Sequence, residues 1–299
     1  MRPSPKTIQI FLPGGDTQGI RIAEITTRIV QVIEVPRKLL PDFLAMPESN
    51  QVALYFLVAK SEDGTDSRVY VGQTGDLRAR LTTHNREKDF WQHALVLISR
   101  THSLTQTHAL FLEWHCLQAS RKAGRYIDEN GNGGSKPHTP APLEADCLEV
   151  FDTGRTLLAT LGYPIFDPLV KAPALPASGE TADLPLSEEE VFYCKTSGAN
   201  ARGLYTEEGF VVLKGSIGRR KSVPSIIGTS DERFRLKLIE SGIMQENGDT
   251  VVFTKDHLFR SPSMAAVALA GRTVNGWDEW KTKDGKSLDV VKRQTPTSL

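Results

Sequence analysis

Apolar and polar positions alternate through Thr7-Ile-Gln-Ile-Phe-Leu12, and the stretch closes on Pro13-Gly14-Gly15, which predicts a short strand ended by a turn. A β-branched run from Arg28 to Val35, stopped by Pro36, predicts a second strand, and Leu39 to Met46 a short helix. Val52 to Ala59 and Arg68 to Gly72 read as two strands of a hairpin, joined by the polar, glycine-containing loop Lys60 to Ser67. From Asp76 to Arg86 the apolar spacing turns helical, with Leu77 and Leu81 one turn apart and Thr74 or Asp76 near the cap. His93 to Ser99 predicts a further strand, following Phe90-Trp91. Thr107 to Ala123 predicts a longer helix, apolar enough to be buried on two sides, in which Glu113 is the one carboxylate. Pro137 to Pro142 interrupts the order, and Ala145 to Gly162 predicts a helix that packs back on the sheet.

Residues Asp167 to Ser187 combine proline, alanine, glycine, serine and acidic residues without apolar periodicity, as an exposed linker does. Beyond them Val191 to Lys195 and Gly209 to Gly215 read as hairpin strands around Ala199-Asn-Ala-Arg-Gly203. Asp231 to Ser241 predicts an amphipathic helix ended by Gly242, and Asn247-Gly248-Asp249 a hairpin turn. Pro262 suits the first turn of a helix capped by Ser261, running to Ala270 and stopped by Gly271. The expected organisation is an N-terminal strand and helix extension (1–50), a first domain (51–166), the linker (167–187) and a second, smaller α+β domain (188–299). The fold class is α+β, a small antiparallel sheet flanked by helices.

Composition adds little beyond class. The chain has 299 residues, 39% hydrophobic and 24% charged, which suits about two ordinary globular domains. No apolar run reaches the roughly 20 residues of a membrane span, and no signal-peptide core follows Met1, so a cytoplasmic protein without membrane attachment is expected. The three cysteines, Cys116, Cys147 and Cys194, are too scattered for a disulfide framework or a zinc site, and core filling is their expected role. A formal net charge of zero means that attraction to nucleic acid must come from local patches. Two stand out: Arg78, Arg80, Arg86 and Lys88, and Arg219-Arg220-Lys221.

The candidate chemistry lies in the hairpin and the helices after it. Two tyrosines on neighbouring strands, Tyr55 and Tyr70, an arginine one helix away, Arg80, and the lone carboxylate Glu113 are the parts of a phosphodiester-cleaving site. Glu113 suits a single hard cation, Mg²⁺ or Mn²⁺, completed by water and phosphate oxygens. Arg80 offers a planar guanidinium to adjacent phosphate oxygens. A free phenol titrates near 10, so a tyrosine either positions the attacking water or is activated by nearby cations. His84, one turn beyond Arg80, shares its helix face and could join the proton traffic. Gly72, Gln73, Arg78 and Arg86 are the expected substrate contacts. Each residue also has an ordinary reading: strand tyrosines fill cores, helical charges face solvent, and Gly72 can be a strand-end turn.

Tyr55, within Ala53-Leu54-Tyr55, and Tyr70-Val71-Gly72, followed by Arg80, His84 and Glu113, resemble in order and spacing the GIY-YIG nuclease family, over roughly residues 50 to 135. The first motif reads ALY where the family has glycine first. The resemblance implies a nuclease domain acting on DNA, with Tyr55 as base, Tyr70 as its partner and a bracing asparagine after the carboxylate helix. The best match for the asparagine is Asn130 in Asp128-Glu-Asn-Gly-Asn-Gly133, with Asn132 next, although Asn-Gly is also a turn signal. Gln73 stands where some members carry lysine. Phe253 to Ser263 with Gly271-Arg272 and Asn275-Gly276-Trp277 resembles a small domain of unknown function often fused behind such nucleases, over about residues 207 to 290. Three classes stay open: a metal-dependent DNA endonuclease, a nucleic-acid-binding module of little activity, and an adaptor holding a protein partner through its C-terminal domain.

Overall fold

The structure is a computed structural model that describes residues 5–61, 65–170, 191–196 and 198–294. Most of the expected linker, from residue 171 on, and the centre of the hairpin loop, 62–64, lie outside the described residues. The chain divides into two compact units, the first reaching Pro168 without the segment 61–65 and the second taking that segment with the chain from Leu169 onward. Both are α+β, each with an antiparallel-rich sheet flanked by helices.

In the first unit strands β1 (Ile8–Phe11), β2 (Arg21–Ile25), β3 (Val30–Pro36), β4 (Ala53–Ala59), β5 (Arg68–Thr74), β6 (His93–Ser99) and β7 (Ile127–Asp128) form one sheet in the order β1-β2-β3-β6-β4-β5-β7. The break expected at residue 50 is absent: β3 pairs with β6 from Val30↔Ser99 to Pro36↔His93, so the N-terminal strands continue the sheet. β2 and the two-residue β7 escape pattern reading because a strand of two to five residues carries too little alternation to register. β7 runs parallel to β5, pairing Arg68 with Ile127.

β4 lies inside the sheet between β6 and β5, and its run Ala53 to Val58 is buried throughout because both faces of the sheet are covered. Leu54, Phe56 and Val58 pack with Phe111, Leu112 and Cys116 of α3 (Gln106–Ala123) and Leu157 and Leu158 of α4 (Ala141–Thr160). Ala53, Tyr55 and Leu57 face the opposite layer, with Leu40 and Phe43 of α1 (Leu40–Ala45) and Leu77 and Leu81 of α2 (Leu77–Glu87). Helix α4 begins earlier than its apolar pattern suggests because Pro142 is accommodated in its first turn, where no N–H is missed. Behind α4, the Tyr163 hydroxyl donates to the buried Glu34 carboxylate (2.8 Å), which Arg21 also pairs.

In the second unit β8 (Val191–Thr196), β9 (Ala199–Thr206), β10 (Gly209–Val212), β11 (Ile217–Arg219), β12 (Met244–Asn247), β13 (Thr250–Phe253) and β14 (His257–Phe259) form a sheet in the order β12-β13-β11-β9-β10-β14, with β8 also on β9. Residues 199–203, read as a turn, are the first half of the central strand β9. Gly203 is glycine because the sheet packs closely there: a Cβ on it would lie 2.3 Å from the Phe210 ring. Helix α5 (Ser230–Glu240) buries Arg235, whose guanidinium donates to the carbonyls of Arg219, Arg220 and Val267. In the basic patch the Arg220 side chain pairs with Glu246 at 2.9 Å. Helix α6 (Pro262–Ala270) starts on Ser261, whose hydroxyl accepts from the Met264 N–H, and ends on Gly271 at φ 65°. Helix α7 (Gly276–Glu279) follows. All three cysteines are free and buried, two in the first core and one in the second.

Candidate active site

Strand pairing sets Tyr55 of β4 opposite Gly72 of β5. The tyrosine ring lies across the glycine, and a Cβ there would stand 2.4 Å from the Tyr55 hydroxyl oxygen and 2.5 Å from the ring carbon that bears it. Gly72 is therefore required by the phenol itself. Gly72→Ala is expected to displace Tyr55 and to destabilise the first unit by about 1–3 kcal/mol, as overpacking does. Urea unfolding checks it, and an unchanged midpoint would show that the ring has room to move.

Helix α2 brings the next two groups to the same hydroxyl. Its cap is Asp76, whose carboxylate accepts the Ala79 N–H at 3.0 Å. Leu77, Leu81 and His84 form the buried stripe, and Arg80 flanks it at the helix surface. Nε of Arg80 donates to the Tyr55 hydroxyl (3.1 Å), and Nε2 of His84 lies 2.9 Å from the same oxygen. The Arg80 guanidinium also interacts with Tyr70. The Tyr70 ring stands edge-on to His84, with centroids 5.1 Å apart, and the Lys88 ammonium sits over it at 4.3 Å.

Burial dominates the electrostatics. Tyr55 is fully buried, which pushes its phenol well above the ordinary value; Arg80 works in the opposite direction, and the Tyr70 and Glu113 charges add to the rise. His84 is pushed down to about 4, first by burial and then by Arg80 and Lys88. It is thus neutral at pH 7, with its Nδ1 buried and without a hydrogen-bond partner. If Nε2 accepts the phenol proton, an unpaired Nδ1–H results. If Nε2–H donates instead, the phenol proton is free to point elsewhere.

Because the folded state resists protonating His84 while the unfolded state accepts a proton near 6.5, stability is fully present above pH 6.5 and falls as the pH drops toward 4. The share owed to this residue is up to about 3 kcal/mol. His84→Gln should flatten the acid limb of a denaturation midpoint plotted against pH. A variant profile parallel to that of the wild type would remove His84 from that role.

Glu113 approaches from α3, on the other side of the sheet, at the end of β5. Burial raises its carboxyl above the ordinary range, while the Gln73 backbone N–H and the charge of Arg80 pull it back. A half-buried carboxylate with so few donors is a fit ligand for a hard cation. Among the described residues no group of three or more His, Cys, Asp or Glu could hold a metal, so Glu113 would be the one protein ligand and the remaining positions would fall to water and substrate oxygens.

The other expected residues divide. Asn130 braces the strand between the two motif positions: its Oδ1 accepts the Val71 N–H (2.9 Å) and its Nδ2 donates to the Val71 carbonyl (2.6 Å). Asp128 holds Asn130 in turn through its backbone N–H (2.8 Å), a support that the sequence showed only as part of a polar turn. The Gln73 side chain accepts from Gln106 at the start of α3 and so anchors that helix to β5. Arg78 is drawn away from the site, its Nε donating to the Ser49 hydroxyl at 2.8 Å. Arg86 is exposed on the last turn of α2 and joins none of these contacts. The structure therefore gathers Tyr55, Tyr70, Arg80 and His84, with Gly72 beneath, Asn130 behind and Glu113 within electrostatic reach, and leaves Arg78 and Arg86 outside.

Residues 192–292 match the family model described as a domain of unknown function (DUF4357), so the second unit carries that domain. The GIY-YIG resemblance of the first unit is not matched by a family model. No curated protein matches the chain, and no solved structure does. No helix among the described residues is long and apolar enough to cross a membrane.

Proposed function

We propose that the chain is a divalent-cation-dependent endonuclease that hydrolyses phosphodiester bonds in DNA, with the DUF4357 domain helping to select substrate or partner. The observation that carries this reading is the convergence of Arg80 and His84 on one buried phenol oxygen, at 3.1 and 2.9 Å, with a half-buried carboxylate at the end of the adjoining strand. A hydrolysing site needs a group to orient water, an acceptor for its proton and a fixed cation for the phosphate. Tyr55 orients the water. As the water proton moves to the phenol oxygen, the phenol proton passes to Nε2 of His84, which is neutral and in hydrogen-bond contact. Arg80, always charged and fixed through Nε, turns its exposed guanidinium edge to the phosphate. Asn130 and Gly72 act through position, the first by locking Val71 and the second by clearing space for the Tyr55 ring. A Mg²⁺ or Mn²⁺ ion held by Glu113 would supply charge stabilisation at the leaving oxygen. The order of the two resemblances, nuclease-like segment first and DUF4357-like segment second, supports the same reading.

A second reading, a nucleic-acid-binding module of little activity, is favoured by one observation: Tyr55 is 0% exposed, so water reaches its hydroxyl only if neighbouring side chains give way. Nicking of supercoiled plasmid distinguishes the two. Metal-dependent nicking by the wild type, lost in the Arg80→Ala, Glu113→Ala double variant, supports the nuclease. A salt-dependent gel shift without nicking supports the binding module.

A further inference from the structure

We infer that the DUF4357 domain carries a nucleic-acid site of its own, a pocket that takes one unstacked nucleotide of a single strand, its base against Tyr193 and its phosphate on Lys195 and Lys281. The pocket arises from strand alternation. Phe192 and Cys194 of β8 point into the second core, which sends Tyr193 and Lys195 together to the opposite face. Along the outer edge of β8 the chain returns at Lys281: the Tyr193 N–H donates to the Lys281 carbonyl (2.7 Å) and the Lys281 N–H to the Tyr193 carbonyl (2.9 Å). Lys281 also bridges to Ser287, so residues 281–287 form a small hairpin beside the tyrosine, its turn closed by Gly285 N–H to the Thr282 carbonyl. Between them is a cavity of about 360 Å³, lined by Tyr193, Lys195, Lys281, Lys283 and Glu279.

The lining selects the ligand. The one lining carboxylate, Glu279, is already paired with Arg272 at 2.9 Å, which leaves Lys195 and Lys281 to set the sign of the field where the phosphate would sit. An anion is favoured. Tyr193 is half-buried, packed on Val191, Leu204, Val211 and Leu213, and Lys195 Nζ sits over its ring at 5.7 Å from the centre, so a ring fixed by packing and an ammonium share one wall of the pocket. Aromatic platforms beside cationic backbone contacts are how unpaired strands are held without regard to sequence, whereas a duplex keeps its bases stacked inside. This inference stands on the second unit alone and does not depend on cleavage by the first.

The test uses the full chain in EDTA, with fluorescein-labelled oligothymidylate and a duplex of equal length followed by anisotropy across a salt series. Lys195→Glu with Lys281→Glu is expected to weaken single-strand binding at least tenfold and to reduce the slope of log affinity against log salt by roughly one to two. The milder Lys195→Ala, Lys281→Ala pair should weaken it at least threefold and serves if the charge reversals unfold the domain by circular dichroism. Tyr193→Leu, which keeps the packing bulk, should cost about five- to tenfold on the single strand and nothing on the duplex. Unchanged affinity in the alanine pair, or an equal loss on both DNAs in Tyr193→Leu, would overturn the inference. So would polyglutamate competing as well as the oligonucleotide at matched charge, which would mark a general acidic-peptide surface. A chain that binds in this way yet never nicks plasmid would keep this inference and sink the nuclease reading.

Discussion

Glu113→Gln is expected to abolish metal-dependent cleavage while leaving DNA affinity unchanged or slightly higher. The substitution keeps size and hydrogen-bonding capacity and removes the charge on which a hard cation depends, and among the described residues no further cluster of metal-ligating side chains can take over. A cation at a developing oxyanion is worth several kcal/mol, and each 1.36 kcal/mol is tenfold, so single-turnover nicking should fall by roughly three orders of magnitude. Binding should not fall with it, because the lost charge repels phosphate. The fold should also tolerate the change: the carboxylate is already disfavoured by burial, and the amide oxygen can still accept the Gln73 N–H. Nicking rates and equilibrium binding in Mg²⁺ and in EDTA decide the matter. Wild-type activity of the variant at saturating Mg²⁺ would remove Glu113 from the chemistry and leave the binding module as the better reading.

Arg80→Ala should damage both binding and rate, and the rate more. Its guanidinium is exposed at the surface of α2 yet fixed from within by the Tyr55 hydroxyl, so it offers a pre-positioned cation without the full cost of burying one. A charge-assisted bidentate contact contributes a few kcal/mol, and the phosphate gathers charge on the way to the transition state. Single-turnover nicking is expected to fall by roughly two to three orders of magnitude, and affinity by no more than about tenfold. The same substitution removes a donor from the Tyr55 hydroxyl and a positive charge from beside His84, so the His84 pKa should rise from about 4 toward its ordinary value. Histidine resonances followed by NMR across an acid titration would show it. Arg80→Lys should recover binding better than rate, because a point charge neutralises phosphate but cannot fork across two oxygens. Equal losses of rate and affinity in Arg80→Ala would mean that the arginine only binds.

Local signals in the chain were enough for several elements. Asp76, Leu77 and Leu81 specify the start and inner face of α2, and one further turn at that period places His84 on the same face as Arg80. Ser261, Pro262 and Gly271 bound α6, and Asn247-Gly248 closes the hairpin of β12 and β13 with Gly248 at φ 60°. These are caps, turns and periods that act within one or two turns of backbone, so a single sequence carries them in full. The residue types of the candidate site, two tyrosines, an arginine, a histidine and a carboxylate, were legible for the same reason: their order along the chain is local information. Their contacts were not. Tyr55 meets His84 across 29 positions and Asn130 meets Val71 across 59, and only the assembled sheet determines that Gly72 lies beneath the phenol. Tertiary packing also sent Arg78 to Ser49, tied Gln73 to Gln106 and made a central strand of a segment whose alanines and glycine read as a turn. A small or polar residue carries the same letter whether it turns the chain, yields space to a neighbour or holds another strand, and the choice among these is made by what tertiary packing brings within a few ångströms of it.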